Sequence, residues 1–116
     1  MSINKDCSNL QEKEVATFLN GSIVAGSGCG QFNAGDVSDT RFLFECKTVT
    51  KPQTSFSIKK GWVTKIEEQS FEQGFAHSGL VFRFEPQGKD FVVLDIATFK
   101  LLRDYAYSGN NLEEVE

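Results

Sequence analysis

The charged side chains within residues 35–48, GDVSDTRFLFECKT, have the types and spacing of a metal-dependent phosphate site. Alternate side chains of a strand point to the same side, so Glu45 and Lys47 are expected on one face of a strand. If the strand that begins at Asp36 pairs beside it, two carboxylates converge next to a lysine. This arrangement suits a divalent metal ion and a phosphate better than it suits a hydrophobic core.

Hydrophobic periodicity predicts three helices and five strands around this segment. The expected helices span residues 10–19, 57–73 and 97–107, and the expected strands span residues 22–25, 36–38, 41–49, 79–84 and 90–95. Ser8 and Asn9 are candidate caps of the first helix. The order helix, three strands, helix, two strands, helix predicts an α/β fold with a central mixed sheet of about five strands flanked by helices, the acidic strands at its centre.

The first helix has an inward face that includes a carboxylate. Glu12 lies three and four residues before Val15 and Ala16, so it is expected on the face that these apolar residues share with Leu19. The neighbouring Glu14 is expected to face solvent.

The second helix has an apolar stripe at four-residue spacing, which predicts its buried side. Its members are Ile58, Trp62 and Ile66.

Composition indicates one globular domain. The chain has 116 residues, 40% of them apolar and 24% charged, which is typical of a soluble protein. We expect a single domain at residues 1–109 and a disordered acidic tail at 110–116. No apolar run approaches the ~20 residues of a membrane span and no signal peptide is evident, so the expected location is the cytoplasm.

The three cysteines, Cys7, Cys29 and Cys46, are odd in number and form no C-x-x-C pair, so neither a disulfide framework nor a zinc site is indicated. We expect reduced thiols. Cys46 should point away from Glu45 and act as a small buried apolar residue.

The charge distribution leaves room for a nucleic-acid partner. A net charge of −4 argues at first against DNA. However, residues 41–66 contain six basic residues and one acid, so one face of the protein can still be basic. The six are Arg41, Lys47, Lys51, Lys59, Lys60 and Lys65.

These features together resemble the PD-(D/E)-x-K nuclease superfamily, and within it the archaeal-type Holliday junction resolvases and the small phage endonucleases related to them. The resemblance covers about residues 11–102. Glycine stands at position 35, where the motif name has proline. The matching pieces are Glu12-Lys13, Gly26-Ser27-Gly28, Gly35-Asp36, Glu45-Cys46-Lys47, and the pair Lys65 and Gln69.

The resemblance implies a restriction-endonuclease-like core and a Mg²⁺-dependent endonuclease, with Mn²⁺ as a substitute ion, that cuts four-way or branched DNA as a homodimer. No small-molecule substrate or membrane is implied. A phage origin would place the protein in the host cytoplasm, in recombination, replication or packaging of a phage genome. The implied metal ligands are Asp36, Glu45 and Glu12, the other implied catalytic residues are Lys47, Ser27, Lys65 and Gln69, and the expected DNA-binding residues are Lys13, Lys51, Lys59 and Lys60.

Other interpretations of the same residues stay open at this point. A nuclease acting on plain duplex or single-stranded DNA would use the same carboxylates. A noncatalytic DNA-binding module on this fold would be expected to have lost Glu45 or Lys47, both of which are present. Taken alone, that charged pair could also be an ordinary solvated strand face.

Overall fold

The computed structural model describes residues 3–24 and 35–110 of the chain, which form the predicted order of elements, α-β-β-β-α-β-β-α. A π-helical turn, Ala106–Asn110, follows the last helix. The helices are α1 (Ile3–Leu19), α2 (Lys60–Glu72) and α3 (Ile96–Tyr105), and the strands are β1 (Ser22–Ile23), β2 (Val37–Ser38), β3 (Phe42–Lys47), β4 (His77–Arg83) and β5 (Asp90–Val93).

The five strands form one mixed sheet in the order β1-β2-β3-β4-β5, with β3 at the centre. Strands β3 and β4 are parallel, and every other neighbouring pair is antiparallel. Two parallel neighbours need a long crossover, which α2 supplies. The predicted α/β fold with a mixed five-stranded sheet is confirmed.

Period-two alternation along β3 separates the two layers of the core. Phe44 and Cys46 pack with Val15 of α1, whereas Leu43 packs with Ile66 of α2. Cys46 is buried as predicted, and its thiol forms no disulfide. Both faces of the central strand are therefore covered by a helix, and its charged residues lie towards its carboxyl end.

The predicted start of α1 is wrong, because the helix begins at Ile3 and includes both candidate caps. No Gly or Pro interrupts residues 3–19, so nothing in this part of the chain stops helix propagation. The helix ends where Asn20 adopts a positive φ of 57°. The N–H groups of Asn20 and Gly21 donate to the carbonyls of Thr17 and Ala16, which is the Schellman pattern. Leu19, at this end, is exposed rather than buried.

The predicted apolar stripe of α2 is only partly correct. Ile66 is buried and Trp62 is half-buried, but Ile58 is exposed and precedes the helix. Lys59 has extended backbone angles, φ −87° and ψ 134°, so the helical spacing does not apply to Ile58.

No side chain of α3 is buried. None of the described helices is both long and apolar enough to cross a membrane.

Candidate active site

The register of β2 and β3 brings the two strand carboxylates together. Val37 pairs with Phe44, and the N–H of Asp36 donates to the carbonyl of Phe44 at 2.7 Å. One step further along this register, Asp36 lies opposite Glu45. Opposed residues of an antiparallel pair point to the same face of the sheet. The buried Asp36 is held in place because its Oδ2 accepts the N–H of Cys46 at 2.8 Å.

The turn into β2 requires glycine immediately before the aspartate. Gly35 has φ +72°, and a Cβ at this position would lie 2.7 Å from the side chain of Leu43, which is fully buried. Proline holds φ near −65°, so it could not make this turn. The structure thus gives a physical reason for glycine where the motif name has proline.

Glu12 of α1 reaches the same carboxylates. The pKa of Glu12 is raised from 4.5 to about 7, first by burial and then by the negative charges of Asp36 and Glu45 and by its hydrogen bond to Asp36. The pKa of Glu45 is also raised, first by burial and then by Asp36, while Lys47 and Lys65 act in the opposite direction. The three acids therefore interact electrostatically with one another, and burial and mutual repulsion both disfavour the charged forms of Glu12 and Glu45.

Lys47 stands next to this cluster, and an aromatic ring supports it. Its Nζ is 3.2 Å from Oε2 of Glu45 and 4.5 Å from the ring centroid of Trp62. The Nζ of Lys59 lies 5.6 Å from the same ring centroid. Such cation–π contacts hold two ammonium groups at the border of the carboxylates. Sequence analysis placed Trp62 in a buried stripe and missed this role, although Lys59 lies one helical turn before it.

Two more of the expected catalytic residues lie on α2. Lys65 is exposed, and its charge lowers the pKa of Glu45, so the two side chains interact. Gln69 lies one turn further along the helix, and its buried Oε1 has no hydrogen-bond partner. Ser27 and its two glycine neighbours lie outside the described residues.

Gln11 is a residue at the site that sequence analysis missed. It is fully buried, and its Nε2 donates to the carbonyl of Lys47 at 3.0 Å and to Oδ1 of Asp90 at 3.1 Å. Gln11 therefore ties α1 to the end of β3 at the backbone of Lys47. Its position four residues before Val15 is the signal that could have placed it on the inward face.

The helix pattern predicts that Glu14 faces solvent. Its side chain is about half exposed, but it also forms an ion pair with a buried residue. Its Oε1 lies 3.0 Å from the guanidinium of Arg83, whose side chain is only 1% exposed. Arg83 also pairs in a bidentate way with Asp90, at 2.8 and 2.6 Å, and donates to the carbonyl of Pro86. This ion-pair network joins α1 to the hairpin of β4 and β5.

The oxygen-only donor set of the three acids fits a hard divalent cation such as Mg²⁺. The raised pKa values of Glu12 and Glu45 show that the ionised forms of these acids are disfavoured in the protein alone. A bound cation would stabilise the ionised forms. Across residues 3–24 and 35–110, no three His, Cys, Asp or Glu side chains are already grouped as a metal-binding cluster.

The four lysines expected to bind DNA are exposed. Lys13 follows Glu12 on α1. Lys51 and Lys59 lie on the connection from β3 into α2, and Lys60 is the first residue of α2. The N–H of Gln53 donates to the carbonyl of Phe84 at 2.8 Å, which ties this connection to the end of β4. Three of the four lysines therefore come from the segment that borders Lys47.

Comparisons with known protein families, with curated proteins and with solved structures found no match.

Proposed function

We propose that this protein is a Mg²⁺-dependent endonuclease of the PD-(D/E)-x-K kind. In this proposal it is a Holliday junction resolvase that cleaves branched DNA as a homodimer. The observation that carries the proposal is the meeting of Asp36, Glu45 and Glu12 from three separate elements, with Lys47 at 3.2 Å from the second of them. A solvated strand face would not require a carboxylate from α1 to be half-buried against two others.

Asp36, Glu45 and Glu12 would hold the cation. A bound Mg²⁺ supplies a Lewis acid that offsets charge on the scissile phosphate and favours loss of a proton from water. Asp36 is the most firmly fixed of the three, since the backbone of β3 binds one of its oxygens. Mn²⁺, which also prefers oxygen ligands, would serve the same acids.

The remaining polar groups have roles in hydrolysis. Glu12 would either add a ligand to the cation or orient the attacking water from α1. Lys47 would donate to a non-bridging phosphate oxygen and neutralise its charge. Trp62 and Gln11 position this lysine, one through its ring and the other through the backbone carbonyl. Lys65, whose charge lowers the pKa of Glu45, and Gln69, one turn further along α2, would assist from that helix.

DNA is the proposed substrate because of where the positive charge lies. Lys51, Lys59 and Lys60 are exposed, and the Nζ of Lys59 contacts the same Trp62 ring as the Nζ of Lys47. Exposed lysines beside a metal site would bind phosphates. Preference for a four-way junction and the homodimer rest on the resemblance, since a junction offers two symmetric strands and each active site cuts one.

Cleavage of synthetic DNA tests the proposal. Wild-type protein with Mg²⁺ should cut a labelled four-way junction faster than a Y-fork or a linear duplex, and EDTA should stop it. Asp36→Asn and Glu45→Gln should each abolish cleavage, because each removes a ligand of the cation. Junction affinity in a mobility-shift assay should be retained or increased, because each change removes a negative charge that repels the DNA phosphates. Glu72→Gln, at an exposed acid near the end of α2, is the matched control and should cut normally.

Each alternative has its own outcome in this assay. Equal rates on junction and duplex would indicate a duplex nuclease. Binding without cleavage in Mg²⁺ or Mn²⁺ would indicate a noncatalytic DNA-binding module. Full activity of Asp36→Asn or Glu45→Gln would remove that residue from the site.

A further inference from the structure

The helix α3 has an apolar side that the other described elements leave largely exposed. Phe99, Leu102 and Tyr105 recur every three residues and share this side of the helix. All three side chains are exposed, Tyr105 for 64% of its surface. The opposite side carries Lys100, Arg103 and Asp104, which form ion pairs with one another. An amphipathic helix with this pattern normally buries its apolar side.

A groove on the α1 face of the sheet is the concave counterpart of this helix. Its volume is about 620 Å³, and Phe44 and Val81 lie in its lining. Phe18, at the end of α1, lines it while 86% exposed, and the exposed Val92 of β5 lines it as well. Leu102 of α3 also borders the groove, so the uncovered helix lies at the rim of the cavity.

We propose that α3 of one chain binds in the groove of a second copy, and that the second copy's α3 binds in the first groove, around a two-fold axis. The contact would be the interface of the proposed homodimer. The expectation of two copies rests on the proposed function, whereas the choice of surfaces does not. A closed two-fold dimer needs a surface that is complementary to itself. A convex apolar helix beside a concave apolar groove on one chain meets this requirement.

The area supports a second copy as the occupant. Six apolar side chains of the two surfaces, exposed for 38–86% each, leave on the order of 600 Å² open to solvent if a whole side chain has roughly 150–200 Å². A standard interface takes about 800 Å² from each partner. The six are Phe18, Leu19, Val92, Phe99, Leu102 and Tyr105. DNA would not cover such a surface, because it offers phosphates rather than apolar groups.

The segments 25–34 and 111–116 are poor in large apolar side chains. Residues 25–34 contain Phe32 as their only one, and residues 111–116 contain Leu112 and Val115 among three glutamates.

Light scattering coupled to size-exclusion chromatography tests the interface on the full-length chain. At micromolar concentration the wild type should have about twice the 12.9 kDa mass of one chain. Phe99→Glu and Phe18→Glu should each weaken self-association at least a hundredfold and elute as monomers. Phe71→Glu is the matched control: Phe71 is 84% exposed but lies on α2, away from both surfaces, so this variant should remain dimeric. Circular dichroism should show that all three variants are folded.

The outcomes distinguish this inference from the nuclease. If both glutamate variants stay dimeric, the interface is elsewhere and this inference fails, while the homodimer stands. A monomeric wild type, or one that instead binds vesicles of phosphatidylcholine and phosphatidylglycerol, overturns the interface and the homodimer together. In either case, cleavage by the wild type and its loss in Asp36→Asn decide the nuclease independently.

Discussion

Replacing Glu12 with glutamine should stabilise the metal-free protein at alkaline pH, although the same change should impair catalysis. The pKa of Glu12 is raised from 4.5 to about 7, because the carboxyl group is half-buried against Asp36 and Glu45. In the folded state the group therefore holds a proton that the unfolded chain has already released. Glutamine resembles the protonated acid and cannot ionise.

The sign follows from proton binding. Between pH 4.5 and about 7 the folded protein binds more protons at this site than the unfolded chain, so stability falls as pH rises through this window. Below pH 4.5 both states are protonated and there is no penalty. Above pH 7 the penalty is complete. The glutamine variant lacks this term at every pH.

The magnitude can be worked from the same pKa. At about 1.36 kcal/mol for each pH unit, a rise from 4.5 to about 7 corresponds to at most about 3.4 kcal/mol. Because Glu12 is only half-buried, solvent screening reduces this to about 1–2 kcal/mol. For a domain of this size, that free energy corresponds to roughly 4–10 °C in Tm.

Thermal unfolding in EDTA, followed by circular dichroism, measures the difference. The Tm of Glu12→Gln should match the wild type at pH 4 and exceed it by several degrees at pH 8. Glu14→Gln is the control on the same helix and should lower Tm at pH 8, since it weakens the ion pair with buried Arg83. Excess Mg²⁺ at pH 8 should raise Tm more for the wild type than for Glu12→Gln.

A Glu12→Gln variant that is less stable than the wild type at pH 8 without metal would refute the reasoning. Glu12 would then not be held against the other two acids. The placement of α1 relative to β2 and β3 at the site would need revision.

Three further changes test other parts of the structure. Gly35→Ala should lower the free energy of unfolding in urea by more than about 2 kcal/mol, because it combines a positive φ with a clash against Leu43. Gly61→Ala is its control: the added Cβ would meet nothing within 4 Å, so this change should be neutral or stabilising by about 0.5 kcal/mol. Asp90→Asn should cost about 3–5 kcal/mol by the same measurement, since it leaves the buried Arg83 without its main partner, and a loss under 1 kcal/mol would contradict this. In DNA-binding titrations from low to high salt, a triple change to glutamine should flatten the slope of log affinity against log salt by up to about 3, and an unchanged slope would place the DNA elsewhere. The three residues changed are Lys51, Lys59 and Lys60.

The sequence by itself determined the fold class and the faces of the central strand. Alternation in β3 placed Cys46 in the core and left Glu45 beside Lys47 on the other face, since a strand's period of two does not depend on its neighbours. Element boundaries were less determined. The start of α1 was missed because residues 3–9 are mostly polar, with Ile3 and Cys7 as their only apolar side chains, yet nothing in them stops a helix.

Only the tertiary structure decided which side chains meet. The register of β2 against β3 sets Asp36 opposite Glu45, and the packing of α1 brings Glu12 to both, none of which follows from spacing along the chain. The ring of Trp62 under Lys47 joins residues 15 positions apart, on α2 and β3. Such contacts depend on how whole elements pack, and packing is a property of the complete chain. The periodicity of a segment records only which of its faces is buried.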